Sequence, residues 1–309
     1  MIVIREGQTI DENALAATIG FFDGVHLGHR FLVEELRAEA RKRNLPSAVI
    51  TFAQHPRQVL HADYQPKLLT SFSEKIALLA SLGVDYCIVL DFTVELSQLT
   101  AQQFISQILA SRYHVRTLLI GYDHRFGHDR TDGFEQYVDY GAACGMEVLQ
   151  ASPYDAGRTP VSSSLIRRLL HDEGAVERAA ELLTYPYSLR GHIVAGYQVG
   201  RRLGFPTANI CVDEPFKVLP AIGVYAVRVS LLEKFYKGML YIGRRPTVHN
   251  GDDLSIEVYI LDFSGDIYQD TIRVSFLRRV RGDIAFDSLE ALSAQLEKDR
   301  ETVARMDLI

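Results

Sequence analysis

Residues 16–29 read Ala-Ala-Thr-Ile-Gly-Phe-Phe-Asp-Gly-Val-His-Leu-Gly-His, and this stretch decides the fold of the first half of the chain. The apolar run at 16–19 predicts a strand end, and residues 27–43 carry a helical pattern. His26 and His29 therefore fall where a strand passes into a helix N-terminus. Free backbone amides and the helix dipole favour anions at such a point. The stretch predicts a strand–loop–helix unit that faces an anionic ligand.

Similar units continue along the first 150 residues or so. Short runs rich in Val, Ile and Leu without alternation are typical of a parallel sheet buried on both faces. Between the runs, Ser71 with Glu74 and Thr100 with Gln103 fit capping boxes that start helices. Strand alternating with helix predicts an α/β doubly wound parallel sheet with ligands at the strand carboxyl ends. The strands are expected at residues 16–19, 48–52, 86–90, 117–121 and 147–149.

The pattern changes near residue 184. Helical stretches at 163–171 and 175–183 end before Pro186, which discourages helix continuation. The short strands that follow alternate partially and predict an antiparallel small barrel or sandwich, and a final amphipathic helix runs from about 288 to 306. We predict two domains, residues 1–184 and 185–309, as the length of 309 residues also favours. The second set of strands is expected at residues 188–194, 224–231, 235–242, 255–261 and 271–276.

Composition narrows the class of protein. A net charge of −6 argues against a nucleic-acid partner, because a phosphate-tracking surface usually needs excess Lys and Arg. The N-terminus has no long apolar stretch, so neither a signal peptide nor a membrane partner is expected and a cytoplasmic location is predicted. Cys87, Cys144 and Cys211 are widely spaced among apolar neighbours and predict buried, reduced thiols. The sequence does not indicate an oligomeric state.

The chemistry of the first motif depends on its histidine pair. Two histidines three residues apart lie one helical turn apart and can donate to one phosphate, stabilising charge as a phosphoryl group transfers. A zinc pair on a helix is usually spaced four apart with a Glu between, and that pattern is absent. A structural or surface role for the pair stays open from the residues alone.

A second motif spans residues 196–209, Gly-Tyr-Gln-Val-Gly-Arg-Arg-Leu-Gly-Phe-Pro-Thr-Ala-Asn. Its glycines can form a loop lined by backbone amides, and Thr207 and Asn209 offer oxygen ligands of the kind that Mg²⁺ prefers. The alternative is an ordinary β-turn made rigid by Pro206.

The first half of the chain resembles the nucleotidylyltransferase superfamily, in the version found in prokaryotic FAD synthetases. The resemblance is carried by the His-x-Gly-His pattern at 26–29 and by two further segments, Gly-Tyr-Asp-His-Arg-Phe-Gly at 121–127 and Val-Ser-Ser-Ser-Leu-Ile-Arg at 161–167. It implies a catalytic role for His26, His29 and Arg167. It also implies nucleotide or flavin binding by Gly20, Phe21, Asp23, Gly24, Gly28, Asp123, Arg125, Ser162, Ser163 and Ser164.

The second motif resembles the signature of riboflavin kinases, which implies a small barrel that phosphorylates a flavin. By that resemblance Thr207 and Asn209 would hold Mg²⁺ with the ATP phosphates. Glu257, in Ser-Ile-Glu-Val-Tyr-Ile-Leu-Asp-Phe at 255–263, would orient or deprotonate the flavin hydroxyl. By pattern alone it is equally a solvent-facing glutamate. The resemblance also implies nucleotide or flavin binding by Gly196, Gly200, Arg201, Gly204, Pro206 and Arg281.

Together the two resemblances cover about residues 10 to 305 and imply a bifunctional riboflavin kinase and FMN adenylyltransferase. The kinase domain would convert riboflavin and ATP to FMN and ADP. The other domain would join FMN to AMP from a second ATP, releasing pyrophosphate and making FAD. Alternatives are one activity alone, a flavin-binding regulatory protein, or nucleotidyl transfer to another small phosphate. This sequence departs from the family pattern at His124, Tyr241, Tyr259 and Asp283.

Overall fold

The computed structural model describes residues 1–55, 58–59, 65, 67–122, 125–127, 132–154, 161–195, 204–244 and 254–307. Contacts within the chain divide it into two compact units. The first comprises Met1–Pro66 and Thr70–Ser162, and the second comprises Lys67–Leu69 and Ser163–Ile309.

The first unit is built on a six-stranded parallel sheet with the order β1-β4-β3-β2-β5-β6. The expected doubly wound sheet is confirmed, because apolar clusters cover both of its faces. The three-residue edge strand β1 was not expected, since so short a run carries no periodic signal. The strands are β1 Ile2–Ile4, β2 Leu15–Ile19, β3 Ser47–Phe52, β4 Tyr86–Leu90, β5 Val115–Ile120 and β6 Glu147–Gln150.

Helices connect these strands as the sequence predicts. Both capping boxes form, with Ser71 and Glu74 at the start of α2 and Thr100 and Gln103 at the start of α4. Helices α1 and α2 contribute to one apolar cluster, and α5 and the π-helical turns after α4 contribute to the other. The helices are α1 Leu27–Lys42, α2 Phe72–Ser81, α3 Val94–Ser97, α4 Ala101–Gln103 continued by π-helical turns Phe104–Arg112, and α5 Phe134–Ala143.

The second unit is a closed antiparallel barrel with the order β10-β11-β8-β7-β12-β9, which confirms a barrel over a sandwich. Two helices precede it, and α8 packs on its outer face through a cluster that includes Phe205, Met239 and Val303. The elements are α6 Ser163–Arg168 continued by π-helical turns Leu169–Glu173, α7 Val176–Leu183, β7 Ser188–Val194, β8 Ala208–Val212, β9 Gly223–Leu231, β10 Lys234–Arg244, β11 Leu254–Ile260, β12 Thr271–Arg281 and α8 Leu289–Ala304.

Two expectations about the barrel need correction. Strand β8 was not predicted, because its Ala-Asn start carries little β-propensity and adjoins a turn-rich segment. Cys211 on that strand is exposed and Cys144, in the first unit, is partly exposed, so the expectation of three buried thiols is confirmed for Cys87 only. Alternation along β8 turns Ile210 inward and Cys211 outward. Within the described ranges, every helix is too short or too polar to cross a membrane.

Candidate functional site

The first motif lies at the carboxyl edge of the parallel sheet. Strand β2 stands between β3 and β5, and the chain runs from β2 to β4 on one side before returning to β5 on the other. That reversal is a topological switch point, where open α/β sheets bind ligands. The loop after β2 carries the first motif, and the exposed Arg125 follows β5. Asp123 and His124 lie outside the described residues.

The two histidines are brought together. Their imidazole rings stack with centroids 3.7 Å apart and planes inclined by 16°. His26 is the N-cap residue of α1 and is buried, whereas His29 lies in the first turn of the helix and also contacts the Phe22 ring. Each imidazole can donate a ring N–H to a ligand, and the adjacent helix N-terminus favours anions. The geometry therefore suits an anion at the start of α1.

The loop before the histidines has an unusual backbone. Phe22, Gly24 and Val25 have φ values of 56°, 80° and 39°. A β-branched residue such as valine rarely adopts a positive φ, so the surroundings must hold the loop in place. One side chain contributes directly, because the Asp23 carboxylate accepts from the Thr70 amide at 3.1 Å and from the Thr70 hydroxyl at 3.2 Å. The same hydroxyl accepts from the Gly24 amide at 3.1 Å.

The remaining residues of the first motif lie around this loop. Gly20 directly follows β2, and the Phe21 ring packs edge-on against His55 with centroids 4.8 Å apart. A methyl group at Gly28 would make only ordinary contacts with the His26 ring and Val161. Among the residues that the structure describes, none therefore gives a steric reason for glycine at this position.

The serine-rich segment lies at the start of α6. Ser162 and Ser164 are exposed, and Ser163 and Arg167 are partly exposed. Ser162 is the last residue of the first compact unit, whereas Ser163, Ser164 and Arg167 belong to the second. Their use by the first site stays a prediction.

In the barrel, strand register aligns the predicted site residues Glu257 and Asn209 with Tyr241 in one row across three strands. Tyr241 on β10 stands opposite Glu257 on β11, and Glu257 stands opposite Asn209 on β8. Directly opposed residues share a face of the sheet, so their side chains are neighbours. The Thr207 hydroxyl donates to the Glu257 carboxylate at 3.0 Å. The structure thus groups both predicted metal ligands with the predicted base.

This group offers oxygen donors suited to Mg²⁺. A hydroxyl has two acceptor lone pairs, so Thr207 can donate to Glu257 and still bind a cation. The Asn209 amide oxygen and the Glu257 carboxylate complete a set of the hard ligands that Mg²⁺ takes, usually together with water and substrate phosphates. Among the described residues, no three His, Cys, Asp or Glu side chains converge on a separate metal site.

Two departures from the family pattern contact each other. The Tyr241 hydroxyl donates to the Asp283 carboxylate at 3.1 Å. Burial, and then the Asp283 charge, raises the pKa of Tyr241 to about 12, so the phenol keeps its proton. Tyr259 packs edge-on against Phe205 with ring centroids 5.5 Å apart.

Next to this row is a cavity of about 800 Å³ between the barrel surface and α8. Aromatic rings line one side and polar helix side chains line the other. Gly204, with a φ of 84°, opens onto the cavity, and the exposed Pro206 precedes Thr207. Gly196, Gly200 and Arg201 lie outside the described residues. The lining includes Phe205, Tyr259, Ser293, Glu297 and Arg300.

Arg281 has a different set of contacts from the predicted one. Its Nε lies 2.9 Å from Asp299 Oδ2 on α8, and its guanidinium also donates to the Gly282 carbonyl at 3.0 Å. The Asp299 side chain is only 3% exposed. Arg281 therefore attaches α8 to the barrel, and its contact with a ligand stays a prediction.

Sequence reasoning missed Lys75 and Thr70 beside the first site and Asp299 beside the second. A signal existed for Lys75, because it occupies an apolar-stripe position of α2 together with Phe72, Ile76 and Leu79. A lysine in such a stripe points to a buried ammonium. No pattern marks Thr70 or Asp299, since each matters only through a distant partner.

Comparisons with known proteins match both halves of the chain. The family model described as FAD synthetase matches residues 8–165, and the one described as riboflavin kinase matches residues 183–306. A bifunctional riboflavin kinase/FMN adenylyltransferase from Escherichia coli strain K12 is 39% identical over 92% of this chain and 90% of its own length. A protein of the same description from Listeria monocytogenes is 38% identical over 96% of this chain and 94% of its own length.

Among solved structures, one from Streptococcus pneumoniae superposes with a TM-score of 0.87 and 32% identity. It covers 99% of this chain and 100% of its own, and it is described as a macrolide-efflux protein. The likeness supports the fold of the whole chain. The family models and the curated relatives are the comparisons that name the two activities.

Proposed function

This chain belongs to the family of bifunctional riboflavin kinase/FMN adenylyltransferases, and we propose that it carries out the two reactions at two separate sites, one for each motif. It phosphorylates riboflavin with ATP to give FMN and ADP. It then transfers AMP from a second ATP to FMN, giving FAD and pyrophosphate. The binding-only alternative gains no support, because the histidine pair and the Thr207–Glu257 pair are both intact.

For adenylyl transfer, an FMN phosphate oxygen attacks the α-phosphorus of ATP, and pyrophosphate leaves. The FMN phosphate is itself the nucleophile, so no covalent protein intermediate is needed. The stacked His26 and His29 at the switch point support a role in neutralising charge on the transferring group and on the leaving pyrophosphate. Arg167 is proposed to add a third hydrogen-bond donor, which is positively charged. Gly28, where no described residue requires glycine for steric reasons, is proposed to let phosphate approach the backbone.

For riboflavin phosphorylation, the terminal ribityl hydroxyl attacks the γ-phosphorus of ATP, ADP leaves, and Glu257 accepts the hydroxyl proton. The single observation that carries this assignment is the 3.0 Å hydrogen bond from Thr207 to Glu257 beside Asn209. Thr207 and Asn209 would hold Mg²⁺, which when bound neutralises charge on the ATP phosphates. The aromatic lining of the adjacent cavity supports placing the flavin ring near Phe205 and Tyr259.

The test is chromatographic product analysis of wild-type protein and two variants with riboflavin or FMN, ATP and Mg²⁺. His29→Ala should lose FAD formation by about 10²–10⁴-fold and keep FMN formation, a loss typical of positioned acid–base groups. Glu257→Gln should do the reverse and still make FAD from supplied FMN. Equal loss of both products in folded His29→Ala would refute the two-site assignment. Normal riboflavin phosphorylation by Glu257→Gln would remove Glu257 as the base.

Metal dependence is a further part of the proposal. Chelation of Mg²⁺ should stop both reactions, and Thr207→Val should raise the Mg²⁺ concentration needed for riboflavin phosphorylation.

We further propose that the functional boundary lies between residues 184 and 185, so that Ser163 to Arg167 serve the adenylyltransferase. We also propose a cytoplasmic location, because both reactions consume ATP and ATP is abundant there.

A further inference from the structure

A buried lysine lies beside the first site. Lys75 stands in the first turn of α2, directly after the Ser71–Glu74 capping box, and is only 3% exposed. Lysine is almost never fully buried unless its ammonium is paired or hydrogen-bonded. Its burial among apolar neighbours therefore calls for an explanation from its contacts.

The contacts of the Lys75 ammonium are specific. Nζ donates to the Phe52 carbonyl at 2.8 Å, to the Phe21 carbonyl at 3.1 Å and to the Thr51 hydroxyl at 3.2 Å. Thr51 in turn donates to the Phe21 carbonyl at 3.2 Å. An ammonium has three N–H donors, so this set uses all of them, whereas a neutral amine would offer only two. Nζ also lies 4.2 Å from the centroid of the Phe21 ring.

These bonds join two neighbouring strand ends. Phe52 ends β3, and Phe21 is the second residue of the loop after β2, which runs through Phe22 and Val25 to His26. Phe22 and Val25 in this loop have positive φ values, and such strained backbone persists only when the surrounding structure holds it in place. Thr70 holds the middle of the loop through Asp23 and Gly24, and Lys75 holds its beginning. Residues 70–75 thus hold the loop at three points, Phe21, Asp23 and Gly24.

We propose that Lys75 is a positioning residue for adenylyl transfer, whose ammonium fixes the Phe21 carbonyl and thereby the loop that presents His26 and His29. This inference rests on the proposed assignment of the histidine pair to that reaction. Lys75 acts through the loop, since all three of its donors are already engaged by the protein. A shift of about 1 Å in the histidines would cost on the order of 10²-fold in rate.

The charged state of Lys75 gives the proposal a distinctive readout. Burial lowers the pKa of Lys75 to about 8, and the charge of Asp23 from the loop after β2 partly offsets this. Cys87, which faces it from β4, has its thiol pKa raised by burial to about 11 and is therefore neutral at pH 8. Lys75 should lose one of its three hydrogen bonds as the pH rises through about 8, which loosens its attachment to the histidine-presenting loop, so FAD formation should fall on that limb.

The first experiment compares Lys75→Met with wild type at pH 7. FAD formation from FMN should fall by on the order of 10²-fold in kcat, with KM for FMN and ATP changed by less than about threefold. Riboflavin phosphorylation by the same protein should be unchanged. Lys217→Met is the matched control, because Lys217 is also 3% exposed and donates to a carbonyl, that of Ser188, in the barrel unit. Wild-type kcat in folded Lys75→Met would overturn the proposal.

A second experiment needs no change at Lys75 and decides the matter if that variant fails to fold. Thr51→Val removes a hydrogen bond to the ammonium, so the alkaline limb of FAD formation should move to lower pH. A merely structural role would lower the melting temperature and leave the limb in place, and an unmoved limb would overturn the proposal. His29→Ala is run alongside. If it keeps FAD formation, the site assignment fails and the Lys75 proposal fails with it; if it loses FAD formation, the Lys75 variants are judged independently.

Discussion

The attachment of α8 to the barrel provides a test whose size follows from the structure. Both oxygens of Asp299 are engaged, one by Arg281 at 2.9 Å and the other by Gln295 at 2.9 Å. The exposed fractions of the Asp299 and Arg281 side chains are 3% and 15%. Removing one partner of a buried ion pair costs about 3–5 kcal/mol, because the other charge stays buried without compensation. Arg281 keeps its bond to the Gly282 carbonyl and is slightly exposed, so Asp299→Ala should cost about 3 kcal/mol.

The assay is urea unfolding with hydrogen-exchange mass spectrometry, which reports on α8 and the barrel apart from the other unit. Asp299→Asn keeps the shape and loses the charge, so it should cost about 2 kcal/mol. The double variant Arg281→Met with Asp299→Leu should be close to wild type, because replacing a whole buried pair with apolar groups is often neutral. Glu301→Ala is the control, since its pair with Arg305 on the same helix is exposed and should contribute less than about 1 kcal/mol. A cost below about 1 kcal/mol for Asp299→Ala would refute the reasoning.

Three further predictions concern titration, a hydroxyl and a thiol. Because the pKa of Lys75 falls from 10.5 to about 8 on folding, the folded state binds fewer protons than the unfolded state between these values, and stability should rise with pH there. From pH 7 to 9 the free energy of unfolding should rise by about 1 kcal/mol. The measurement is the difference in unfolding free energy between wild type and Lys75→Met at each pH. A difference that stays constant with pH would contradict the lowered pKa. Tyr241→Phe removes the hydrogen bond from Tyr241 to Asp283 and should cost about 1 kcal/mol in unfolding free energy. It should also raise KM for riboflavin a few-fold in steady-state kinetics. An unchanged KM would show that the Tyr241–Asp283 pair does not contribute to the flavin site. Maleimide should label the exposed Cys211 in folded protein but leave Cys87 unmodified until unfolding, as intact mass would record; rapid labelling of Cys87 would contradict its burial.

Local patterns in the sequence were sufficient for most of the fold. Unbroken apolar runs predicted five of the parallel strands, and the two capping boxes placed helix starts correctly, because both signals depend on neighbours within a few residues. The strands that escaped prediction, β1 and β8, are three and five residues long. Strand β1 is too short to show a periodic pattern and β8 begins with residues of low β-propensity, so both form because adjacent strands supply hydrogen-bond partners.

The functional residues show the same contrast between what local patterns predict and what depends on distant contacts. The sequence by itself determined the fold class, the two motifs and the family, and with them His26, His29, Thr207, Asn209 and Glu257 as candidates. These residues carry their signal in contiguous segments, where spacing and residue type are visible.

Only the tertiary structure decided which groups contact one another. It placed Glu257 beside Thr207, 50 residues earlier in the chain, paired Arg281 with Asp299, and brought Lys75 to the Phe21 carbonyl 54 residues away. A hydrogen bond between distant residues depends on strand register and helix packing, which fix positions to within an ångström. Those are properties of the assembled core, so the sequence names the chemistry and the packed structure sets its geometry.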